Sequence, residues 1–388
     1  MEYGDEIVHR VRELAPALAK RARETEDARR LPDRTIEDLA ATGLFGMLVP
    51  KRFGGGELGF APMAAACRAA GAACASTGWL SVIYTLHNWM VALFPERAQE
   101  EVWADRPYAL IPCVLAPTGT AEPVDGGHRV TGRWSWGSGA MHADHAMVMG
   151  LVTTDGAIEP RLFLLPRADV TVHDVWHTSG MRGTGSNDIE VADVFVPAHR
   201  SVPLTALTEG RSPGSGVHAA PLYRTPLVPV FALTAAAPVL GAAEGVLALF
   251  AERMRSRRMS YSGERQRDLM SGQIRLATAT ADLAAARLLL EEALREAAEA
   301  TVRGDAADLH RRARARLVSA HVAATARRVV NELCGAAGAS TQFADSPFQR
   351  AQRDVNTISG HVVFDPDAAY ALYGRIELGM DPGPVVLV

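Results

Sequence analysis

Three short segments of the 388-residue chain bring together residue types that can do chemistry. In Gly132-Arg-Trp-Ser-Trp-Gly-Ser-Gly139, two tryptophans and two serines sit among glycines. Indole rings beside permissive backbone suit a flat aromatic cofactor, met by face or by edge. A serine hydroxyl or a backbone N–H in the bend can bond its polar rim. The same pattern also suits a β-hairpin with core tryptophans. In Gly180-Met-Arg-Gly-Thr-Gly-Ser-Asn-Asp188, residues Arg182, Thr184, Gly185 and Ser186 offer N–H groups and hydroxyls that can cradle phosphate or ring carbonyls. An ordinary polar turn fits that spacing equally well. The segment is neither a Walker A loop nor a GxGxxG opening a helix, so neither dinucleotide route is supported. Third comes Gln349-Arg-Ala-Gln-Arg-Asp-Val-Asn-Thr-Ile-Ser-Gly-His361, where a lone helix histidine is more often structural than catalytic. His142 and His145 lie three apart with no third ligand in sight, so a structural or substrate-lining reading outweighs a metal site.

The elements that must position these segments change character along the chain. Residues 1–107 read as an N-terminal α-helical domain. Ile7, Val11, Leu14 and Leu18 recur at helical spacing, and Asp33 precedes Ile36 to Leu44 as an N-cap would. A glycine loop follows at 50–57, and long apolar helices resume at Ala61 to Ala75 and Trp79 to Phe94. Residues 108–205 read as a β domain, barrel or sandwich, with β-branched runs between turns. Asp125-Gly126-Gly127 marks a hairpin. Residues 206–219, rich in Gly, Ser and Pro, read as a surface linker. Residues 220–388 read as a C-terminal helical bundle, with long helices over Gln273 to Arg303 and Leu309 to Leu333. The fold class is thus mainly α with a β insert, and the clefts between such units are where cofactor pockets form.

Bulk properties narrow the classes. A net charge of −4 gives no reason to expect nucleic acid or an anionic membrane as partner. The basic residues are almost all Arg, with Lys only at Lys20 and Lys51. Cys67, Cys74, Cys113 and Cys334 form no CxxC pair, which fits a reducing, cytoplasmic location. The N-terminus lacks an apolar h-region. The apolar run from Leu227 to Leu249 contains Pro229, Pro238 and Glu244 and reads as a buried helix.

At the three segments the chain resembles a known family. Met181 to Pro197 is similar to the MRGTGS…V.DVFVP signature of flavin monooxygenases with the acyl-CoA dehydrogenase fold. Gly132 to Gly139 resembles their G.W.F.SG segment, and Arg353-Asp354-Val355 with Ser359 and His361 resembles RDV…S.H. Ala75-Ser-Thr-Gly-Trp79 with His87 and Phe94-Pro95 resembles their N-terminal motif. Four motifs in order, over about residues 5 to 380, make the match specific. The resemblance implies an acyl-CoA dehydrogenase-like subunit: N-terminal helices, a central β domain and a C-terminal four-helix bundle, assembled as homotetramers. It implies the oxygenase component of a two-component system that hydroxylates a phenol, a steroid-derived phenol or an aromatic polyketide, by way of a flavin C4a-(hydro)peroxide. The cofactor is FMN as FMNH2, with FAD as the alternative, supplied by a separate NAD(P)H:flavin reductase; the other partners are O2 and a small aromatic substrate. By position, Ser138 falls near flavin N5, Trp136 beside the isoalloxazine and His361 near C4a. His87 falls in the substrate pocket, and Arg258 near an arginine that binds flavin phosphate, often from a neighbouring subunit. Cys113 to Gly119, with Cys113 and Thr118, matches a strand and loop lining flavin. Ser138, His361 and His87 are the catalytic candidates.

One position separates this reading from an FAD-dependent acyl-CoA dehydrogenase, which needs a carboxylate base, commonly a Glu-Gly pair just beyond an Arg-Asp. Here no acid follows Asp354 until Asp365, and a histidine lies within one position of the expected base. An amine N-oxygenase of the same fold is a further alternative. A flavin-fold scaffold without chemistry ranks lower, since Ser138 and His361 are both present.

Overall fold

The computed structural model describes residues 3–259 and 263–383. Five helices come first: α1 (Tyr3–Ala28), α2 (Asp33–Ala41), α3 (Phe60–Ala73), α4 (Ala75–Val91) and α5 (Glu96–Val102). Seven strands follow: β1 (Cys113–Val124), β2 (Gly127–Gly137), β3 (His145–Thr154), β4 (Ala157–Pro166), β5 (Thr171–His173), β6 (Asn187–Pro197) and β7 (Ser201–Pro203). The short α6 (Leu204–Thr208) leads to α7 (Leu227–Ser256), α8 (Met270–Arg303), α9 (Leu309–Ala337), α10 (Pro347–Ile358) and α11 (Pro366–Glu377).

Helix α4 is the axis of the molecule. Every residue from Ala75 to Val91 is buried, as expected of a helix apolar around its whole circumference. It packs on α3 and α7, and it carries Trp79, Tyr84 and His87. Helix α7 has the length and apolar composition of a membrane span, but 78% of its most apolar window is buried inside the protein. The α7, α8 and α9 helices pack mutually, α10 packs on α7 and α9, and α11 packs on α9.

The strands form one mixed sheet in the order β5-β6-β2-β1-β3-β4-β7; β1 and β3 run parallel and the other neighbours antiparallel. Sheet closure into a barrel is not seen among the described residues, since the two end strands do not pair. The sheet curls, because β4 and β6 approach each other although four places apart. Inside the curl lies a second core of Val130, Trp134, Val148, Phe163, Leu165 and Ile189, separate from the helical one. The hairpin at Asp125-Gly126 joins β1 to β2 with Val124 opposite Gly127.

Two local expectations change. Asp33 is the first residue of α2 and makes no cap bond to it; its carboxylate pairs with Arg30, and the helix ends at Ala41. Nor is the 206–219 stretch a free linker. Gly214 N donates to Leu93 O at 3.0 Å, and the buried His218 meets Gln99 Oε1 at 2.8 Å through Nε2. Its small residues allow close approach to the helical layer, which composition alone reads as flexibility.

Candidate active site

A cavity of about 700 Å³ opens between the sheet and the bundle, within the range of cofactor sites. On the sheet side, the β2–β6 register slips between Trp134 and Gly137. Such a bulge re-aims side chains. Trp134 points into the sheet core, 0% exposed, with Nε1 donating to Met149 O at 2.7 Å. Trp136 adopts a left-handed φ of 69° and stands 68% exposed over the cavity. A non-glycine residue there stores backbone strain, a mark of functional positions. Trp134 is thus a core tryptophan, whereas Trp136 stands free at the cavity. Gly139 must be glycine: a Cβ there would stand 2.3 Å from the Tyr84 hydroxyl, which donates to Gly139 O at 2.9 Å.

The 176–186 segment forms the adjacent wall. Trp176, Met181, Thr184 and Ser186 line the cavity. Met181 is left-handed with φ 53°, and its peptide is gripped at both ends. Its N–H donates to Asp354 Oδ1 at 2.6 Å. Its carbonyl accepts from Trp176 Nε1 at 2.9 Å and from Thr184 Oγ1 at 2.8 Å. Gly180 lies against α10 so closely that a Cβ would meet Arg353 O at 2.2 Å. Arg353 also donates to Ser179 O and pairs with Glu26 Oε1 at 2.5 Å. The Arg353-Asp354 pair is thus a clamp that fixes the cavity wall to α10 and α1. Burial, reinforced by Glu26, raises the Asp354 pKa to about 6 against the lowering effect of the Met181 N–H and the nearby Arg353 and Arg350.

The bundle side is the end of α10 and the turn after it: Thr357, Ile358, Ser359, Gly360, His361, Val362, Asp365 and Pro366. His361 caps that turn, its Nδ1 accepting from Val363 N at 3.2 Å. A nitrogen that accepts carries no hydrogen, so the neutral ring holds its proton on Nε2. Burial, helped by the Arg316 charge, lowers its pKa to about 4. The two walls meet through Trp79. Its Nε1 donates to Ser138 Oγ at 3.1 Å, and its ring lies 5.5 Å from that of His361 between centroids.

Not every candidate reaches this cavity. Ser138, Trp136, Thr184, Ser186 and His361 line it; Gly185 sits within the lining segment, with left-handed φ 49°. Arg182 is half-buried beside it, with Nε lacking a hydrogen-bond partner. Cys113 and Thr118 lie on β1 outside the lining, and the exposed Thr118 donates to Arg133 O at 3.1 Å. Arg258 is exposed in the turn between α7 and α8, donating to Gly263 O at 3.0 Å; Ser260 and Tyr261 of its segment lie outside the described residues. His87 is 1% exposed inside the helical layer and is not among the lining residues. Its Nδ1 donates to Ile111 O at 2.6 Å, and burial lowers its pKa to about 4. His142 donates from Nε2 to Leu31 O at 3.0 Å, tying the β domain to the first helices. Sequence reasoning missed Trp176 and Met181 as wall residues, and Asp354 as the clamp. The signal for Asp354 was an acid beside Val355 and Ile358, both buried, on a short amphipathic helix.

These walls fit a flat ring bearing N–H and carbonyl groups: an exposed indole, a row of hydroxyls, and the unpartnered Arg182 Nε nearby. Comparison with known proteins gives the family. Residues 2–106 match the family described as acyl-CoA dehydrogenase, N-terminal domain, and residues 233–366 match acyl-CoA dehydrogenase, C-terminal domain. A pigment production hydroxylase of Rhodococcus sp. is 40% identical, over 97% of either chain. The flavin-dependent monooxygenase oxygenase subunit HsaA of Mycobacterium tuberculosis is 38% identical, over 96% of this chain and 95% of that one. The crystal structure of HsaA superposes with a TM-score of 0.92, covering 98% of both. So does XiaF from Streptomyces sp., solved with FADH2 and glycerol, at 30% identity, TM-score 0.92, and coverage of 100% and 98%.

Proposed function

The chain belongs to the oxygenase components of two-component flavin-dependent monooxygenases built on acyl-CoA dehydrogenase domains, and from that premise we propose that it uses reduced FMN and O2 to hydroxylate a small phenol. Bound reduced flavin supplies the two electrons that let one oxygen atom enter the ring while the other leaves as water. The observation that carries the reading is the meeting of Ser138 and His361 across one cavity, linked by Trp79.

The chain's own residues have distinct tasks in this scheme. Trp136 would offer its face to the isoalloxazine, and Ser138 would meet its N5 edge. His361 keeps its proton on Nε2 and stays neutral at working pH, so it serves as a hydrogen-bond donor. It stabilises negative charge on the departing oxygen or on the phenol oxygen, which narrows a general acid/base role to that of a donor. Trp79, Trp176 and Ile358 keep water from the reacting centre. Arg258 would reach flavin phosphate from a neighbouring subunit of a homotetramer, which accounts for its distance from its own chain's cavity.

A dehydrogenase would need a free carboxylate at the cavity. Asp365 lines it, with Oδ1 capping α11 by accepting from Asp367 N and Ala368 N, and the acyl-CoA arm of the test below decides whether it acts as such a base. Glu244 on α7 is paired with Arg68 at 2.8 Å. The test is oxygen uptake with a separate NAD(P)H:flavin reductase and a panel of phenols. Hydroxylated product, no response to acyl-CoA thioesters, and tighter binding of FMNH2 than of FADH2 are expected. Acyl-CoA-driven bleaching of a tightly bound yellow flavin would sink the proposal.

A further inference from the structure

The hydroxyls of the sheet-side wall form an unbroken row whose direction is fixed by proton count. Trp79 Nε1 contacts Ser138 Oγ at 3.1 Å, Ser138 Oγ contacts Ser186 Oγ at 2.8 Å, Ser186 Oγ contacts Thr184 Oγ1 at 2.7 Å, and Thr184 Oγ1 contacts Met181 O at 2.8 Å. Both ends of this row are unambiguous: an indole N–H only donates, and a carbonyl only accepts. Each hydroxyl owns one proton. Thr184 spends its proton on Met181 O, so Ser186 must donate to Thr184. Ser186 is then spent, and Ser138 must donate to Ser186. Ser138 already accepts from Trp79, which leaves it a single lone pair and no proton. The row cannot reverse, because Asp354 holds the Met181 peptide in place through its N–H. Thr184 and Ser186 are buried, at 2% and 4% exposure, and each hydroxyl lies within direct hydrogen-bond distance of the next.

We propose that Thr184 and Ser186 are positioning residues that turn the free lone pair of Ser138 toward the cavity, so that the site selects a dihydroflavin over an oxidised flavin. This rests on the reading that the flavin N5 edge faces Ser138. Reduced isoalloxazine carries a hydrogen on N5 and donates to that lone pair. Oxidised isoalloxazine presents a lone pair at N5, which meets another lone pair. Neither Thr184 nor Ser186 needs to touch the ring for this; both act through Ser138. The selection has a use in a two-component system: spent flavin is ejected for re-reduction elsewhere, and fresh reduced flavin displaces it.

The test measures dissociation constants for FMNH2, anaerobically, and for FMN, in the wild type, Thr184→Val, Ser186→Ala and Thr184→Ser. Ser186→Ala removes the acceptor of the Ser138 proton outright; Thr184→Val removes the acceptor of the Ser186 proton, so that Ser186 turns to donate to Ser138, and in both the Ser138 proton turns into the cavity. The ratio of reduced to oxidised affinity is expected to fall about five- to tenfold in each, the worth of one neutral hydrogen bond. Thr184→Ser keeps the row and is expected to retain the wild-type ratio. A structural role alone would weaken both redox forms by the same factor, and that result overturns the proposal while leaving the flavin cavity standing. Should Thr184→Val fail to fold, as read from thermal unfolding, Ser186→Ala decides alone. Ser138→Ala separates the two levels: if it changes neither affinity, flavin does not sit against Ser138, and the underlying reading falls with this one.

Discussion

His361 and His87 occupy two regions with one electrostatic outcome and opposite chemistry. Both rings are held neutral, with pKa lowered to about 4 by burial. At the cavity wall, His361 Nδ1 accepts from Val363 N, so the proton sits on Nε2. In the helical layer, His87 Nδ1 donates to Ile111 O, so Nε2 carries the lone pair. A lowered pKa therefore does not identify a catalytic histidine by itself. The backbone partner decides which nitrogen is armed, and the cavity decides whether it meets a substrate.

The largest effect should come from breaking the cavity member of the pair. His361→Ala is expected to bind reduced flavin within a few-fold of wild type but to lose about 10²-fold or more in product, oxygen going to hydrogen peroxide instead. Product per O2 consumed is the measurement. Coupled turnover within about threefold of wild type would remove His361 from the mechanism. With its pKa near 4, product formation should also show no inflection from this residue around pH 6.5.

His87→Ala should reverse the pattern. It leaves the Ile111 carbonyl buried without its donor and opens a void in α4, at a cost of about 2–4 kcal/mol in stability. The midpoint of urea unfolding should fall accordingly, with coupling changed less than in His361→Ala. A larger loss of product than of stability would restore His87 to the substrate-lining role that the family resemblance gives it.

Acid sharpens the comparison further. Both histidines are charged more readily in the unfolded chain than in the folded one. Each contributes stability that is present above about pH 6.5 and is lost as pH falls through about 4, about 3 kcal/mol apiece. Asp354 works the other way. Its folded pKa of about 6 lies above the unfolded value, so its contribution is present at low pH and is lost as pH rises through 6. Between pH 6.5 and 4 the three partly cancel. Asp354→Asn removes the opposing part and is expected to steepen the acid loss, whereas His87→Asn should make it shallower. Identical slopes in both variants would contradict this assignment.

The element order and the cavity-lining segments were legible in sequence because each has a local cause. Helical periodicity marked α1, Asp125-Gly126 marked the hairpin, and glycines marked the wall loops. Illegible were features set by distant partners. The Arg353-Asp354 pair reads on paper as the neighbourhood of a missing base, yet in the fold it grips the 179–181 backbone, over 170 residues away in the chain. His87 lies in a motif of the right family, but its exclusion from the described cavity depends on how α4 sinks between α3 and α7. The 206–219 stretch had a linker's composition because small residues serve close packing and flexibility alike.

The smallest effect distinguishes the two tryptophans of one segment. Trp134 fills the sheet core; Trp136, two residues on, is strained and exposed. Trp136→Gly should relieve the left-handed backbone, worth about 1 kcal/mol, and offset most of glycine's entropic cost, so that thermal unfolding without flavin shifts little. Flavin affinity should nonetheless fall about fivefold, as the face that meets the ring is lost. If Trp136→Gly left flavin affinity intact, the bulge at 135–137 would be a feature of sheet curvature alone. Its strain would then have to be explained by the turn into Ser138, whose N–H donates to Trp136 O at 2.8 Å.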